Sequence, residues 1–352
     1  MNFLMLRGQV PQDRDPSEII FDSLEECDDM WTHLFNGLLK REDKGEIWYW
    51  RGDPKKGEEY YWQEDREKEY TPNLKEYFTT WFDNFESGME PDIIFCRGGF
   101  RDYHPVLQRY KKAIKIYYGA GKRFLPIFKS FMDYDMILVD SMRQKEITQR
   151  EFPNAEVQIF FKPAADNLFY KMDDVVKEYN VCYPADGRSS NRKGHSFIYS
   201  TVPSYLRVLN LGGPVMDENI EVPANVKSKR VLRKEVSRNM QKCEVGIVAS
   251  EGKTGFYGMS WDSNPRVIPE LLASDIPIVV LNELEFLYRK YITPETGKIA
   301  SKVNFWETVE EVLVSRDQYN PRKYYENNLT TKHAADYLRS RIDDYIDRRF
   351  SA

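Results

Sequence analysis

The chain has 352 residues, too many for one compact core and about right for two domains of roughly 100–200 residues each. At 41% hydrophobic and 30% charged it is globular rather than disordered, and 51 basic against 56 acidic side chains (net −5) exclude an overall polycation while leaving room for a local basic groove. Aromatic residues reach 14%, an excess that suits platforms for sugars or bases as well as cores.

In the first half, strands alternate with helices. Strands are predicted at Phe3–Leu6, Glu46–Trp50, Asp92–Cys96, Ala113–Tyr118, Met136–Val139 and Val157–Phe161. Runs such as DIIFC and MILVD are apolar throughout, which suggests a parallel sheet buried on both faces. Met30, Trp31, Leu34, Phe35, Leu38 and Leu39 recur at helical spacing. The acidic, aromatic stretch Gly52–Met89 breaks the alternation and is expected to be irregular connection plus one helix.

A second alternating set begins near Asn180, with strands at Val181–Tyr183, Arg207–Leu211, Val245–Val248 and Ile276–Leu281. Helices are expected at Ser228–Gln241, Arg266–Ser274 and Thr308–Val314, and Ala334, Leu338, Ile342 and Tyr345 mark one stripe of a long last helix. The expected fold class is α/β: two Rossmann-like domains facing across a cleft, residues 1–165 and 166–331, with a hinge at Lys162–Tyr179.

The four cysteines stand alone, with no CxxC and no close His, which favours a reducing compartment and argues against zinc. The run Asn2–Leu6 is short and soon followed by Arg7, Asp13 and Asp15, so no signal peptide is expected. No stretch approaches the ~20 apolar residues of a membrane span, and a soluble cytoplasmic protein is expected.

Two segments could carry chemistry. In NPRVIPELLASDIPIVV (Asn264–Val280) a polar loop feeds a short helix, and Arg266 beside its N–H groups makes a natural phosphate site. Glu270, one turn on, is within reach of ribose hydroxyls; the same pattern also fits a surface helix with an ordinary Arg/Glu pair. In VCYPADGRSSNRKG (Val181–Gly194) a strand runs into a loop with Gly187, Arg188, Arg192, Lys193 and Gly194, and a helix starts near His195. Such a loop could cradle a diphosphate, or be a solvated basic turn; it is not a Walker loop, and no GxGxxG follows a strand.

Taken together, the C-terminal half resembles GT-B glycosyltransferases of the large retaining superfamily related to glycogen and sucrose synthases. KPAADNLF (Lys162–Phe169) looks like that family's interdomain signature, GRSSNRKGH (Gly187–His195) like its donor-phosphate loop, and NPRVIPELLASDIPIVV like its donor-site helix and strand. The resemblance implies that Arg188 and Lys193 neutralise the donor diphosphate, with Asn264 and Arg266 beside them, and that Glu270 holds the nucleotide ribose. It also implies that the last helix, about 332–352, crosses back to the first domain. A family carboxylate that contacts the donor sugar falls on Asp262, eight positions before Glu270; Glu251 is the alternative. Three departures stand out: one glycine, Gly8, after the first strand; the shorter acid Asp262; and Ser274-Asp-Ile in place of a Cys/Gly turn.

In the first half, CRGGF (Gly98, Gly99) and YGAGKRF (Gly119, Gly121) each follow a strand, where glycine lets a ligand approach. His104, Lys122 and Arg123 are then expected to face the cleft, His104 as a catalytic candidate; tight turns and a helix start explain the same residues. His33 and His333 read as structural, and His195 as a phosphate donor, a core residue or a cap. Asp133-Tyr-Asp135 and Asp13-Arg-Asp15 fit a metal-binding DxD, but the first lies at the wrong end of its strand and the pattern is common, so no metal is expected. The run Lys227–Lys242, seven cations and one acid, reads as a solvated helix face, though phosphate, lipid or nucleic acid could also engage it.

The expected function is transfer of a sugar from a nucleotide-sugar co-substrate to an acceptor hydroxyl, without a further cofactor. The donor would sit on the C-terminal domain and the acceptor on the N-terminal one. Retention follows from the resemblance alone. Acceptors compatible with the sequence are a polysaccharide, a small glycoside or a hydroxymethylated base in DNA. A non-catalytic nucleotide- or sugar-binding module is the alternative, supported by the single glycine of the first loop and by Asp262.

Overall fold

The computed structural model describes residues 1–7, 23–50, 66–79, 87–97, 103–119, 134–187, 193–250, 265–282 and 288–350. It divides into two compact units, one formed by residues 1–160 with 331–352 and the other by 161–330.

The first unit runs β1 (Asn2–Arg7), α1 (Met30–Leu38), β2 (Lys44–Trp50), β3 (Arg66–Thr71), β4 (Leu74–Thr79), β5 (Ile93–Arg97), α2 (His104–Arg109), β6 (Ile114–Tyr118), β7 (Met136–Val139), α3 (Met142–Glu151) and β8 (Glu156–Ile159). These strands form one sheet in the order β3-β4-β2-β1-β5-β6-β7-β8. Every pair is parallel except β3 and β4. All four residues of β7 are buried, as a parallel strand covered on both faces requires. Trp31 of α1 packs on Phe95, Tyr118 and Phe160, locking that helix to the sheet.

One expectation fails here. Within Gly52–Met89 the described residues 66–79 form two strands, β3 and β4, which extend the sheet past β2; the rest of the stretch up to residue 86 lies outside the described residues. The turn at Thr71–Asn73 joins them, and Glu76 occupies a buried position of β4 where an apolar residue would have revealed the alternation.

The second unit contains β9 (Tyr179–Asp186), α4 (His195–Thr201), β10 (Val208–Gly212), β11 (Val226–Ser228), α5 (Val236–Gln241), β12 (Cys243–Val248), α6 (Val267–Ala273), β13 (Ile278–Leu281), α7 (Tyr288–Tyr291), β14 (Gly297–Ala300), α8 (Phe305–Val314) and α9 (Pro321–Asn328). Its sheet is parallel throughout, in the order β11-β10-β9-β12-β13-β14. The helix expected over Ser228–Gln241 is a strand end, a 3-10 turn at Arg233–Glu235 and the short α5. The connection after Phe160 packs inside this unit. Phe169 is fully buried, Tyr325 donates to Asp166 (2.5 Å), and Tyr291 donates to the Lys162 carbonyl (3.1 Å).

The chain then returns to the first unit as α10 (Thr331–Phe350). Ala334, Leu338 and Ile342 are buried, as their spacing predicts. Ala335 meets α1 at Gly37, where an added Cβ would lie 2.9 Å from the Ala335 Cβ, so only glycine allows this approach. Among the described residues no helix is long and apolar enough to cross a membrane.

Candidate functional site

In open parallel sheets ligands bind beyond the carboxyl ends of the strands, where the strand order reverses. In the second unit that point lies between β9 and β12, since β10 and β11 extend one way and β13 and β14 the other. The loop after β9 ends at Lys193 and Gly194, directly against the end of β12. Gly194 has φ 77°, and a Cβ there would lie 2.0 Å from the Ala249 carbonyl oxygen. The Tyr183 hydroxyl donates to the Lys193 carbonyl, so strand β9 holds the base of its own loop. His195 is fully buried, its ring against Tyr183 and Tyr199 and its Nε2 3.4 Å from Asn210. It packs as a core residue.

The next two strands of this edge bring α6 to the same side. Arg266 is the residue before its first turn, and Glu270 lies within it, only 3% exposed. The Glu270 carboxylate is met by Arg233, whose Nη2 donates to Oε1 at 2.5 Å. The Arg233 guanidinium lies over the Phe169 ring, 4.6 Å from its centroid. Phe169 is fixed in turn by Arg322, which donates to the carbonyls of Phe169 (3.1 Å) and Ala273 (2.8 Å). Behind α6, the Ser237 and Ser274 hydroxyls are 3.0 Å apart. Asp275 then takes the left-handed conformation, φ 59°, with Lys171 Nζ 2.8 Å from its carboxylate. Sequence reasoning singled out Glu270 but missed Arg233, since a run of cations hides which one turns inward. The pairs Arg238–Asp174 and Lys242–Glu178 of the same run lie at the surface, as a solvated face allows, whereas Arg233 turns inward.

In the first unit the strand order reverses at β1, between β2 and β5. The parallel register puts Tyr49, Arg7, Arg97 and Tyr118 in one row across the carboxyl ends of β2, β1, β5 and β6. Arg7 donates to Asp29 and to the Tyr49 hydroxyl, and Arg97 lies over Trp31 at 4.7 Å. Beneath them Glu76 is buried; Thr32 donates to its carboxylate at 2.5 Å and Tyr49 at 3.3 Å. Burial pushes the Glu76 carboxyl above its ordinary value although these donors and Arg7 pull it down. Beyond this row the Tyr118 hydroxyl donates to Asp140 at 2.7 Å. Neither the Arg7 row nor Glu76 was foreseen.

Of the remaining candidates, His104 is half-buried at the start of α2, and the Gly119 N–H donates to the Leu138 carbonyl (3.3 Å). Asp135 ties α10 to the sheet by accepting from Tyr345 (2.8 Å) and Arg349 (2.7 Å). Asp262, Glu251, Arg188, Asn264, Gly8, Gly98, Gly99 and Gly121 lie outside the described residues, as do Arg192, Lys122 and Arg123. Among the described residues no group of His, Cys, Asp or Glu is placed to hold a metal ion.

No family model and no curated protein matches the sequence. Solved structures do match along the whole chain. Sucrose-phosphate synthase from Thermosynechococcus elongatus aligns over 99% of this chain and 100% of its own, with 11% identity and a TM-score of 0.62. HepE from Anabaena, solved with UDP-glucose, aligns over 98% and 100%, with 10% identity and a TM-score of 0.60. The DNA-modifying enzyme β-glucosyltransferase, solved with and without uridine diphosphoglucose, aligns over 99% and 98%, with 12% identity and a TM-score of 0.52. The chain has the GT-B fold these enzymes share.

Proposed function

We propose that this chain is a glycosyltransferase that moves a sugar from a nucleoside diphosphate sugar to an acceptor hydroxyl. One observation carries the reading: a buried carboxylate, Glu270, stands in the first turn of α6 on the same sheet edge as the Gly194 loop at the strand-order reversal. Glu270 accepts hydrogen bonds from the donor ribose, and Lys193 and Arg266, with Arg188, balance the diphosphate charge. The acceptor oxygen bonds to the anomeric carbon while the bond from that carbon to the diphosphate oxygen breaks. The nucleoside diphosphate leaves with the electron pair, and the acceptor proton passes to it. Cations rather than a metal stabilise that leaving charge, with retention at the anomeric carbon. Asp262 or Glu251 contacts the donor sugar. The first unit receives the acceptor, with His104 and the loops of Gly8, Gly98, Gly99, Gly119 and Gly121 around it. The four buried cysteine thiols suit work in the reducing cytoplasm.

A glycan or glycoside is the favoured acceptor. Three cations of the run that would bind DNA phosphates already pair with carboxylates, Arg233, Arg238 and Lys242. Salt-dependent binding to duplex DNA would overturn that preference. The function itself is tested by a thermal-shift panel of nucleoside diphosphates and their sugars, followed by donor hydrolysis. Stabilisation with slow turnover supports the enzyme; stabilisation without turnover, with or without acceptors, supports a non-catalytic module.

A further inference from the structure

Glu270 is not an isolated carboxylate. Its Oε1 is engaged by Arg233 at 2.5 Å, and among the described residues no other hydrogen bond to its side chain is formed. Oε2 is thereby left to accept from a ligand. A carboxylate that is 3% exposed pivots freely about its last torsion unless something fixes the plane. The Arg233 guanidinium restrains it by holding Oε1 through Nη2, and it is itself fixed, because it lies over Phe169 and Phe169 is held by Arg322. The aromatic face also spares the cation part of its desolvation cost.

We infer that Arg233 is a positioning residue that sets how strongly the site demands a ribose diol rather than a deoxyribose. This rests on the reading of Glu270 as the ribose acceptor. A carboxylate with one oxygen clamped presents the other in a single direction. A sugar lacking a hydroxyl then leaves that oxygen desolvated and unpaired, which costs roughly tenfold or more in affinity. With the clamp loosened, Oε2 turns back to water and the penalty for the missing hydroxyl shrinks.

The test uses the full chain and whichever of UDP, GDP or ADP stabilises it most, against the 2′-deoxy and 3′-deoxy forms of the same nucleotide. The readout is the ratio of dissociation constants, deoxy over ribo. Wild type is expected to discriminate by about tenfold or more, and Glu270→Gln to discriminate weakly. Arg233→Lys keeps the charge but loses the planar guanidinium that lies over Phe169, so its ratio should fall toward that of Glu270→Gln at a melting temperature near wild type. Arg233→Met alone leaves a buried charge unpaired, so it is combined with Glu270→Gln, and the pair should match Glu270→Gln alone. Wild-type discrimination in Arg233→Lys, or a further loss of nucleotide in the double variant, overturns the role of Arg233 while leaving that of Glu270 intact. Wild-type discrimination in Glu270→Gln instead overturns the ribose reading itself.

Discussion

Arg339 of the last helix places Nη1 2.5 Å from the Asp43 carboxylate at the start of β2, and both side chains are nearly buried. Nearly 300 residues separate them in sequence, so the pair closes the first unit by joining its two chain segments. Arg339 also donates to the Leu38 carbonyl at 3.0 Å, ending α1 against α10. Without Arg339 the Asp43 carboxylate keeps the N-terminal ammonium at 2.6 Å and the Lys40 N–H at 2.9 Å but loses its buried guanidinium, so Arg339→Met should cost about 1–3 kcal/mol. Urea unfolding measures it, and a midpoint equal to wild type would show that this pair does not stabilise the unit.

Glu76 predicts a pH dependence. Burial raises its folded pKa, so it contributes stability that is fully present below the ordinary carboxyl value of about 4.3 and is lost as pH rises through the folded value. Glu76→Gln keeps an oxygen to accept from Thr32 and Tyr49 but has no proton to lose. Its stability relative to wild type should therefore climb as pH rises above about 4.3, the ordinary carboxyl value. A difference independent of pH in matched urea titrations would remove Glu76 as the titrating group.

The same residue shows where the sequence was opaque. The parallel strands were readable because MILV and IIFC are apolar on both faces, and the periodic stripe of α10 was equally plain. Strand β4 was not, because its buried face carries Glu76 in place of an apolar residue. Arg233 was hidden for another reason. It sits in a single 3-10 turn, where neither helical nor strand periodicity says which way a side chain points. Asp275 occupies by left-handed strain a turn that the family resemblance fills with Cys or Gly, and its contacts to Lys171 and the Arg322 N–H (3.3 Å) are long-range. Local patterning reports elements; pairs that join distant segments it does not.

Lys177 should titrate far below an ordinary lysine. Burial brings it down to about 8, and its Nζ donates to the carbonyls of Gln241 and Cys243, both at 2.8 Å. A neutral amine still has the two N–H bonds those carbonyls need. The unfolded chain binds this proton more readily between about 8 and 10.4, so stability should rise as pH rises through that window. NMR of the lysine ε-carbon reads the midpoint directly, and a value near 10.4 contradicts the prediction.

Gly194 joins the fold to the proposed chemistry. Its φ of 77° lies where a side chain is strained, and an added Cβ would meet the Ala249 carbonyl oxygen at 2.0 Å. That carbonyl belongs to backbone at the end of β12 and cannot rotate away as a side-chain tip can. Gly194→Ala should therefore cost about 1–3 kcal/mol for the backbone conformation, and the displaced contact adds to it. The loop has two ways to yield. If β9 and β12 separate, the core around Tyr183, His195 and Ala249 opens and the melting temperature falls by several degrees. If Lys193 swings outward instead, the Tyr183 hydroxyl loses its carbonyl partner and the proposed phosphate site moves off the sheet edge. In both cases nucleoside diphosphate affinity should drop by about tenfold or more, because backbone N–H groups recognise phosphate only when held in place. Isothermal titration with UDP, GDP and ADP beside a thermal melt separates the two routes. Unchanged affinity in a folded Gly194→Ala chain would mean that the nucleotide does not approach this edge.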